Sequence, residues 1–256
     1  MQVQRPKRIL VTGGTGFLGF RVVMALLELE AEVTLIARPD RRDILAPLQG
    51  KVTITHADVW NRASLKGRAR GHDSVVHLVG STHTDPARGL TYNQINLVSA
   101  RNVTAMTVSD GVPYMVLLST IMRPLDLPGE YIRSKREAED YLKNTGLDWT
   151  IVRAPALFSP RRHWGLRLAS VFGALFPFNL LAGHLMPLSV DITARAIARM
   201  AVYPQVMRNR TVYAPQLRRV ARQSRLRQPL ARPIFSAQGN EDIDEVPFGW
   251  LPPSLE

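Results

Sequence analysis

The chain has 256 residues, a formal net charge of +12, a hydrophobic share of 45% and no cysteine. This apolar share excludes global disorder, and the lack of cysteine excludes disulfide frameworks, thiolate zinc sites and cysteine nucleophiles. The charge is uneven: residues 161–240 hold 13 arginines against one acid, Asp191, and residues 241–256 hold five acids and no base. A basic excess of this kind predicts an anionic partner: a nucleotide, a membrane surface or nucleic acid.

Strand and helix patterns alternate along the first 155 residues. Short apolar or alternating runs predict strands at 9–11, 32–37, 52–55, 74–79, 114–118 and 150–152. Apolar residues three and four apart predict helices beginning at Phe17 and covering 93–109 and 131–144. The alternation predicts an α/β fold with a doubly wound parallel (Rossmann) sheet in a domain at 1–155.

Two further regions follow this domain. Residues 156–215 are predicted to cover the substrate and to include the last elements of the sheet domain, with a helix at 191–203. Residues 216–256 are predicted to form an arginine-rich segment and an acidic, loosely ordered tail. The uncharged stretch 168–190 is broken by Pro177, Gly183 and Pro187, which favours a buried helix and a loop over a membrane span.

The basic excess leaves several partners open. Arg161, Arg162 and Trp164 precede the uncharged stretch, which suits a membrane surface, an apolar, lipid-like small-molecule substrate or a solvated loop. Six arginines between 218 and 232 have no stacking aromatics or recognised module, so nucleic acid is not favoured. Partner docking, anionic lipid and neutralisation by the acidic residues 241–245 stay as alternatives. The polar N-terminus predicts a cytoplasmic protein, peripheral on the membrane if these arginines bind lipid.

A glycine-rich turn joins the first strand to the first helix. Gly13, Gly16 and Gly19 have the spacing of a dinucleotide-binding loop, and Thr15, Phe17 and Leu18 lie between them. In such loops one glycine permits the tight turn, one lets the backbone approach the pyrophosphate, and one allows close packing of helix on strand. The turn therefore predicts binding of a dinucleotide at the helix start rather than a purely structural turn.

The end of the second strand indicates which cofactor is preferred. Ala37 stands where an acidic residue would bind the ribose 2′-hydroxyl of NAD(H), and Arg38 follows with a guanidinium suited to a phosphate. This favours NADP(H), and NAD(H) stays an alternative because Asp40 and Asp43 lie nearby. Asp58, after the third strand, is predicted to contact the adenine.

Tyr131 and Lys135 lie four residues apart, so they share one face of the predicted helix. A tyrosine that acts as acid or base near neutral pH needs a lowered pKa, which a neighbouring ammonium group provides. Ser119 and Thr120 stand at the end of the preceding strand, where either hydroxyl could hold a substrate carbonyl. The spacing alone is also common on solvated helices, and the position of the pair after the fifth strand favours acid/base chemistry.

These segments together resemble the short-chain dehydrogenase/reductase superfamily. The resemblance is carried by Thr12–Gly19, Asp58, residues 76–80, Ile95-Asn96, Leu118-Ser119-Thr120, Tyr131-xxx-Lys135 and residues 151–155. The segments from Tyr131 to Glu139 and from Gly146 to Arg153 are most similar to its NmrA-like group. That group includes the nucleotide-binding accessory subunit of respiratory complex I. The resemblance spans roughly residues 7–215 and is specific in the first 160.

The resemblance implies a role for each matching residue. Gly13, Gly16 and Gly19 would bind the pyrophosphate, Arg38 the 2′-phosphate and Asp58 the adenine, and Val79, Gly80 and Pro155 would lie along the cofactor. Tyr131 would be the acid/base, Lys135 would bind the nicotinamide ribose, Ser119 or Thr120 would polarise the substrate carbonyl, and Asn96 would support a proton path. The chain departs from the family in the short spacing between Ser119 and Tyr131 and in offering two hydroxyls for one role.

Two alternatives follow from this resemblance, and the first is an oxidoreductase or an epimerase-like enzyme. Several NmrA-like relatives bind the cofactor without turnover, so a catalytically silent accessory subunit or regulator on a membrane complex is the second hypothesis. The six histidines lack metal-ligand spacing, so no metal site is predicted, and His83 is interpreted as a loop residue.

Overall fold

A computed structural model describes residues 5–37, 48–121, 128–158 and 187–223. Seven strands form one parallel sheet: β1 (Arg8–Thr12), β2 (Glu32–Ala37), β3 (Thr53–His56), β4 (Ser74–His77), β5 (Tyr114–Thr120), β6 (Asp148–Ala154) and β9 (Arg210–Val212). Their order is β3-β2-β1-β4-β5-β6-β9, so the direction of winding reverses between β1 and β4. This confirms the predicted doubly wound α/β fold.

Helices cover both faces of the sheet. They are α1 (Phe17–Glu28), α2 (Arg62–Leu65), α3 (Ser99–Ser109), α4 (Gly129–Lys143), α5 (Val190–Val202) and α6 (Ala214–Arg222). Side chains alternate along a strand, and the two cores follow that alternation: Val116 and Leu118 of β5 pack with α1, α5 and α6, whereas Met115 and Leu117 pack with α3 and α4. A strand buried on both faces needs apolar residues throughout, so the central strands can be predicted from the sequence.

The carboxyl ends of the central strands meet at one edge. In the register of the sheet, Thr12 of β1 is paired with Ile36 of β2 and with His77 of β4, and Thr120 of β5 is paired with Ala154 of β6. In an open parallel sheet, ligands bind at this edge where the winding reverses, here between β1 and β4. The predicted loop and strand-end residues therefore lie at the expected edge.

Three features depart from the sequence prediction. The helix expected over 93–109 begins as a π-helical turn, Asn93–Val98, before α3. The short strands β7 (Leu157–Phe158) and β8 (Leu188–Ser189) pair in parallel outside the main sheet, and β9 is an added edge strand. Helix α6 occupies part of the arginine-rich segment, since Leu217 and Val220, three residues apart, are buried in the core.

Some sequence predictions fall on other parts of the chain. Arg38, Arg161, Arg162, Trp164, residues 168–186 and the acidic residues 241–245 lie outside the described residues. Within the described ranges, no helix is long and apolar enough to cross a bilayer.

Candidate functional site

The glycine turn packs directly on the end of β4. Gly13 has a φ of +78°, and a Cβ there would lie 2.9 Å from the backbone of Leu78 and Val79. A Cβ at Gly19 would overlap the carbonyl oxygen of Gly13. At Gly16, by contrast, the nearest atom is the Gly13 oxygen at 3.5 Å, an ordinary contact. The turn is therefore tight on the protein side and open at Gly16, which fits the close approach of a pyrophosphate.

Helix α1 begins at this turn and is capped by Gly16. The amides of its first turn have no partner within the helix, so they can bind an anion. Phe17 and Leu18 are buried in the core, and the Arg21 guanidinium lies 4.7 Å from the Phe17 ring centroid. Phe17 and Leu18 thus offer backbone rather than side chain to a ligand, while Thr15 is half-buried beside them.

The other predicted cofactor residues follow the carboxyl ends of strands in the main sheet. Asp58 is half-buried after β3, and its Oδ1 accepts a hydrogen bond of 2.9 Å from the Trp60 amide. Val79 and Gly80 follow β4, and Pro155 is buried directly after β6. β2 ends at Ala37, the residue before Arg38.

Tyr131 is fully buried in the first turns of α4. Its ring packs edge-on against Tyr92, with centroids 5.8 Å apart. The side chain of Thr120 lies near its hydroxyl, and the Thr120 hydroxyl donates to the carbonyl oxygen of Ile121 at 3.3 Å. Burial raises the pKa of Tyr131 above its usual 10, and Thr120 only partly opposes this rise. The expectation that the pKa of Tyr131 is lowered by the neighbouring ammonium is therefore wrong: burial raises it, and the phenol keeps its proton at neutral pH.

Lys135 lies one turn further along α4 and is also buried. Its Nζ donates to the carbonyl oxygens of Val79, at 3.4 Å, and Leu118, at 3.5 Å. Burial lowers the pKa of Lys135 to about 8, against the opposing charge of Glu139. A Cβ at residue 80 would overlap this ammonium and lie 2.9 Å from Asn96 Oδ1, so a side chain there would displace Lys135 from its present position.

Asn96 fixes the backbone next to Gly80. Its Oδ1 accepts from the Ser81 amide at 3.1 Å, and its Nδ2 donates to the Ser81 carbonyl at 3.4 Å. Asn96 lies in the π-helical turn, a distortion that often occurs at functional sites. Both of its polar atoms hold the loop after β4.

The two hydroxyls at the end of β5 have different surroundings. Ser119 donates a hydrogen bond of 2.5 Å to Oε1 of Glu139, whereas Thr120 donates to the carbonyl oxygen of Ile121 at 3.3 Å and lies near the Tyr131 hydroxyl. Neighbouring residues of a strand point to opposite faces, so the two hydroxyls leave β5 in different directions. Of the two, Thr120 is the one near Tyr131, and Ser119 donates its hydroxyl proton to Glu139.

An ionic cluster beside the site was not assigned a role from the sequence. Buried Glu139 pairs with Arg153 of β6, whose Nη2 lies 2.6 Å from Oε2, and with Arg136 one turn before it on α4. Arg153 also donates to the Tyr213 hydroxyl at 2.9 Å. We call these residues, with Ser119, the Glu139 cluster. The one signal in the sequence was a glutamate on the buried face of α4, four residues after Lys135.

The histidines in the described ranges lie in the core or at more exposed positions, and none belongs to a cluster of metal ligands. His77 is buried between the hydroxyls of Thr12, at 2.7 Å, and Ser99, at 3.4 Å. Burial, with the Lys135 charge, lowers the pKa of His77 to about 3, so the ring is neutral. His83 is exposed in the loop after β4. The described residues contain no cluster of three or more groups that could hold a metal ion.

Comparison with known proteins finds a matching family and several relatives. Residues 13–170, more than half of the chain, match the family described as NAD(P)H-binding. The chain is 30% identical over 171 residues to (4-alkanoyl-5-oxo-2,5-dihydrofuran-3-yl)methyl phosphate reductase of Streptomyces griseus, covering 66% of this chain and 55% of that protein. It is 27% identical over 154 residues to ceramide reductase of Caulobacter vibrioides, covering 59% of this chain and 47% of that protein. The chain thus spans about half the length of the curated relatives it matches.

Solved structures share the fold. WbmH of Bordetella bronchiseptica, in complex with NAD⁺, matches with a TM-score of 0.58 and 24% identity over 77% of this chain and 73% of that one. DesIV of Streptomyces venezuelae, a dTDP-glucose 4,6-dehydratase with NAD and TYD bound, matches with a TM-score of 0.55 and 24% identity over 75% of this chain and 71% of that one. At this identity the two structures support the Rossmann architecture alone.

Proposed function

We propose that this chain, which belongs to the NAD(P)H-binding family, is an oxidoreductase that reduces a carbonyl or oxidises the matching hydroxyl. The observation that carries the proposal is the placement of Tyr131, near Thr120 and one helical turn from Lys135, at the edge that holds the glycine turn. The two reductases among its relatives support the same class of reaction.

Each side chain has a distinct part in this proposal. The nicotinamide cofactor, when bound, supplies or accepts the hydride. In the direction of reduction, neutral Tyr131 donates its proton to the carbonyl oxygen of the substrate, while Thr120 holds that oxygen by a hydrogen bond. Lys135 binds the cofactor ribose, and its positive charge stabilises the tyrosinate that remains. Thr120 rather than Ser119 takes the orienting role, because the Ser119 proton is committed to Glu139.

The cofactor is proposed to be NADP(H). Support comes from the chain order at β2, which ends in buried Ala37 with no acidic side chain and continues into Arg38. A guanidinium suits the 2′-phosphate. The alternative of a silent accessory subunit on a membrane complex, as in complex I, stays a prediction, because most of its basic and apolar residues lie outside the described ranges.

A single comparison tests the reaction. The purified chain is given NADPH or NADH with a panel of ketones, aldehydes and nucleotide sugars, and cofactor absorbance is followed. We expect turnover with at least one carbonyl class, and a loss of about 10²-fold or more in kcat for Tyr131→Phe. The affinity of Tyr131→Phe for NADPH, measured by fluorescence titration, should stay near that of the wild type.

Tyr141→Phe is the matched control, since Tyr141 lies on the same helix beside Arg101 and away from Thr120. It should keep full activity. NADPH binding without turnover of any compound in the panel would contradict the proposed reaction and favour the silent subunit. Full activity in Tyr131→Phe would remove the acid/base role of Tyr131.

A further inference from the structure

We propose that Glu139 is a positioning residue for this reaction, which holds the end of β5 against α4 so that Thr120 meets Tyr131. The inference rests on the proposed function. Glu139 lies one turn beyond Lys135 and two turns beyond Tyr131, on the same face of α4. It acts through the Glu139 cluster rather than on the substrate.

The Glu139 carboxylate is fully buried and saturated with donors. Oε1 accepts from Ser119 Oγ, from Arg136 Nη1 and, at 3.1 Å, from Arg153 Nε. Oε2 accepts from Arg153 Nη2 at 2.6 Å. A buried carboxylate is stable only when paired and hydrogen-bonded in this way, and two-point pairing with arginine fixes its orientation. The cluster therefore holds one geometry.

This geometry reaches the substrate side through the backbone of β5. Arg136 Nη2 donates to the carbonyl oxygen of Thr120 at 2.6 Å, and Ser119 is bonded to Glu139 itself. Two consecutive residues at the end of β5 are thus tied to α4. Because the Thr120 hydroxyl and Tyr131 lie on these two elements, the cluster sets the distance between them. A displacement near 1 Å at reacting groups can reduce a rate on the order of 10²-fold.

Glu139 also acts on Lys135 by its charge. The groups that face Lys135 are Glu139 on α4, neutral His77 on β4, the amide of Asn96 and the carbonyl oxygens of Val79 and Leu118. Glu139 is the anionic one among these described groups and favours the protonated lysine, against the effect of burial. A role limited to fold stability would not predict any change in the titration of Lys135.

The test compares Glu139→Gln with Glu137→Gln, the same substitution at an exposed residue of the same helix. The chain has five lysines, so the ¹³C-labelled side-chain signal of Lys135 can be assigned by its loss in Lys135→Arg. We expect Lys135 to titrate at a lower pH in Glu139→Gln than in the wild type, and kcat to fall about tenfold or more with little change in KM for NADPH. Glu137→Gln should change neither.

Arg153→Lys separates position from charge, and it keeps the test open if Glu139→Gln does not fold. It preserves the positive charge but replaces the two-point pairing with a single donor. We expect kcat to fall while Lys135 titrates as in the wild type. A lower melting temperature in Glu139→Gln or Arg153→Lys, with unchanged kcat and unchanged Lys135 titration, would overturn the inference. An inactive wild type would instead refute the proposed function, and the NMR titration would still report the coupling.

Discussion

Replacing Lys135 with methionine should stabilise the protein without cofactor. Burial lowers the pKa of Lys135 from its usual 10.5 to about 8. Since one pKa unit corresponds to about 1.4 kcal/mol, keeping the ammonium charged in the fold at pH 7 costs on the order of 3 kcal/mol. Methionine fills a similar volume without a charge, and the two hydrogen bonds it removes, at 3.4 and 3.5 Å, are long. We expect a gain of about 2 to 3 kcal/mol in the free energy of unfolding at pH 7.

The pH dependence gives the sign of the effect. The unfolded chain keeps this proton up to about pH 10.5, whereas the folded chain releases it near pH 8. Wild-type stability from this group therefore rises between pH 8 and 10.5, and the advantage of Lys135→Met shrinks over the same window.

Urea denaturation followed by circular dichroism, at pH 7 and at pH 10, measures both quantities. Lys143→Met is the control on the same helix, because Lys143 is about one-third exposed and pairs with Asp140 at 3.2 Å. It should change stability by less than about 1 kcal/mol at either pH. A Lys135→Met variant no more stable than the wild type at pH 7, or a difference that is constant with pH, would refute the reasoning.

Three further changes test other parts of the molecule. Gly16→Ala should unfold like the wild type but bind NADPH about tenfold more weakly or worse. Gly19→Ala, whose methyl collides with the turn, should also lose about 1 to 3 kcal/mol in its free energy of unfolding. Calorimetry measures the affinity and urea denaturation the stability, and an unchanged affinity in Gly16→Ala would count against the open turn as the pyrophosphate site. Arg38→Ala should weaken NADPH about tenfold or more and leave NADH unchanged in fluorescence titrations, and an equal effect on both cofactors would remove the 2′-phosphate role. Burial tends to raise the pKa of Asp73, but the Arg8 amide and two basic neighbours hold it below 3.8. Asp73→Asn should therefore cost about 1 kcal/mol at neutral pH and progressively less as the pH falls below 3.8; a cost that stays constant down to pH 2 would argue against this charge effect.

The central strands could be predicted from the sequence because they are buried on both faces. Runs such as Tyr114–Leu118 hold apolar residues in every position, which a surface strand does not need. The edge strand β9 consists of Arg210, Thr211 and Val212, with one buried residue, so it carries no such pattern. The π-helical turn over 93–98 keeps the apolar spacing of a helix, and its extra residue per turn depends on packing against α4.

The site could be predicted in its local parts and not in its long-range ones. The glycine turn and the Tyr131–Lys135 pair each lie within one element or its end, so spacing alone brings their residues together. The Glu139 cluster joins residues of two strands, one helix and the residue before α6, up to about 90 positions apart, and no periodicity relates them. For the same reason the different surroundings of Ser119 and Thr120 needed the structure, since both are consistent with the predicted role by position.

The small β7–β8 pair has a consequence for how this chain can be altered. It joins Leu157 to Leu188 and Phe158 to Ser189 in parallel, so the chain leaves and re-enters the sheet domain at neighbouring points. Twenty-eight residues, 159–186, lie between these anchors. Because the cost of closing a connection rises only slowly with its length, the two anchors can be joined by segments of different length. The pair therefore marks two positions between which the connection can be replaced while Leu157–Phe158 and Leu188–Ser189 keep their pairing.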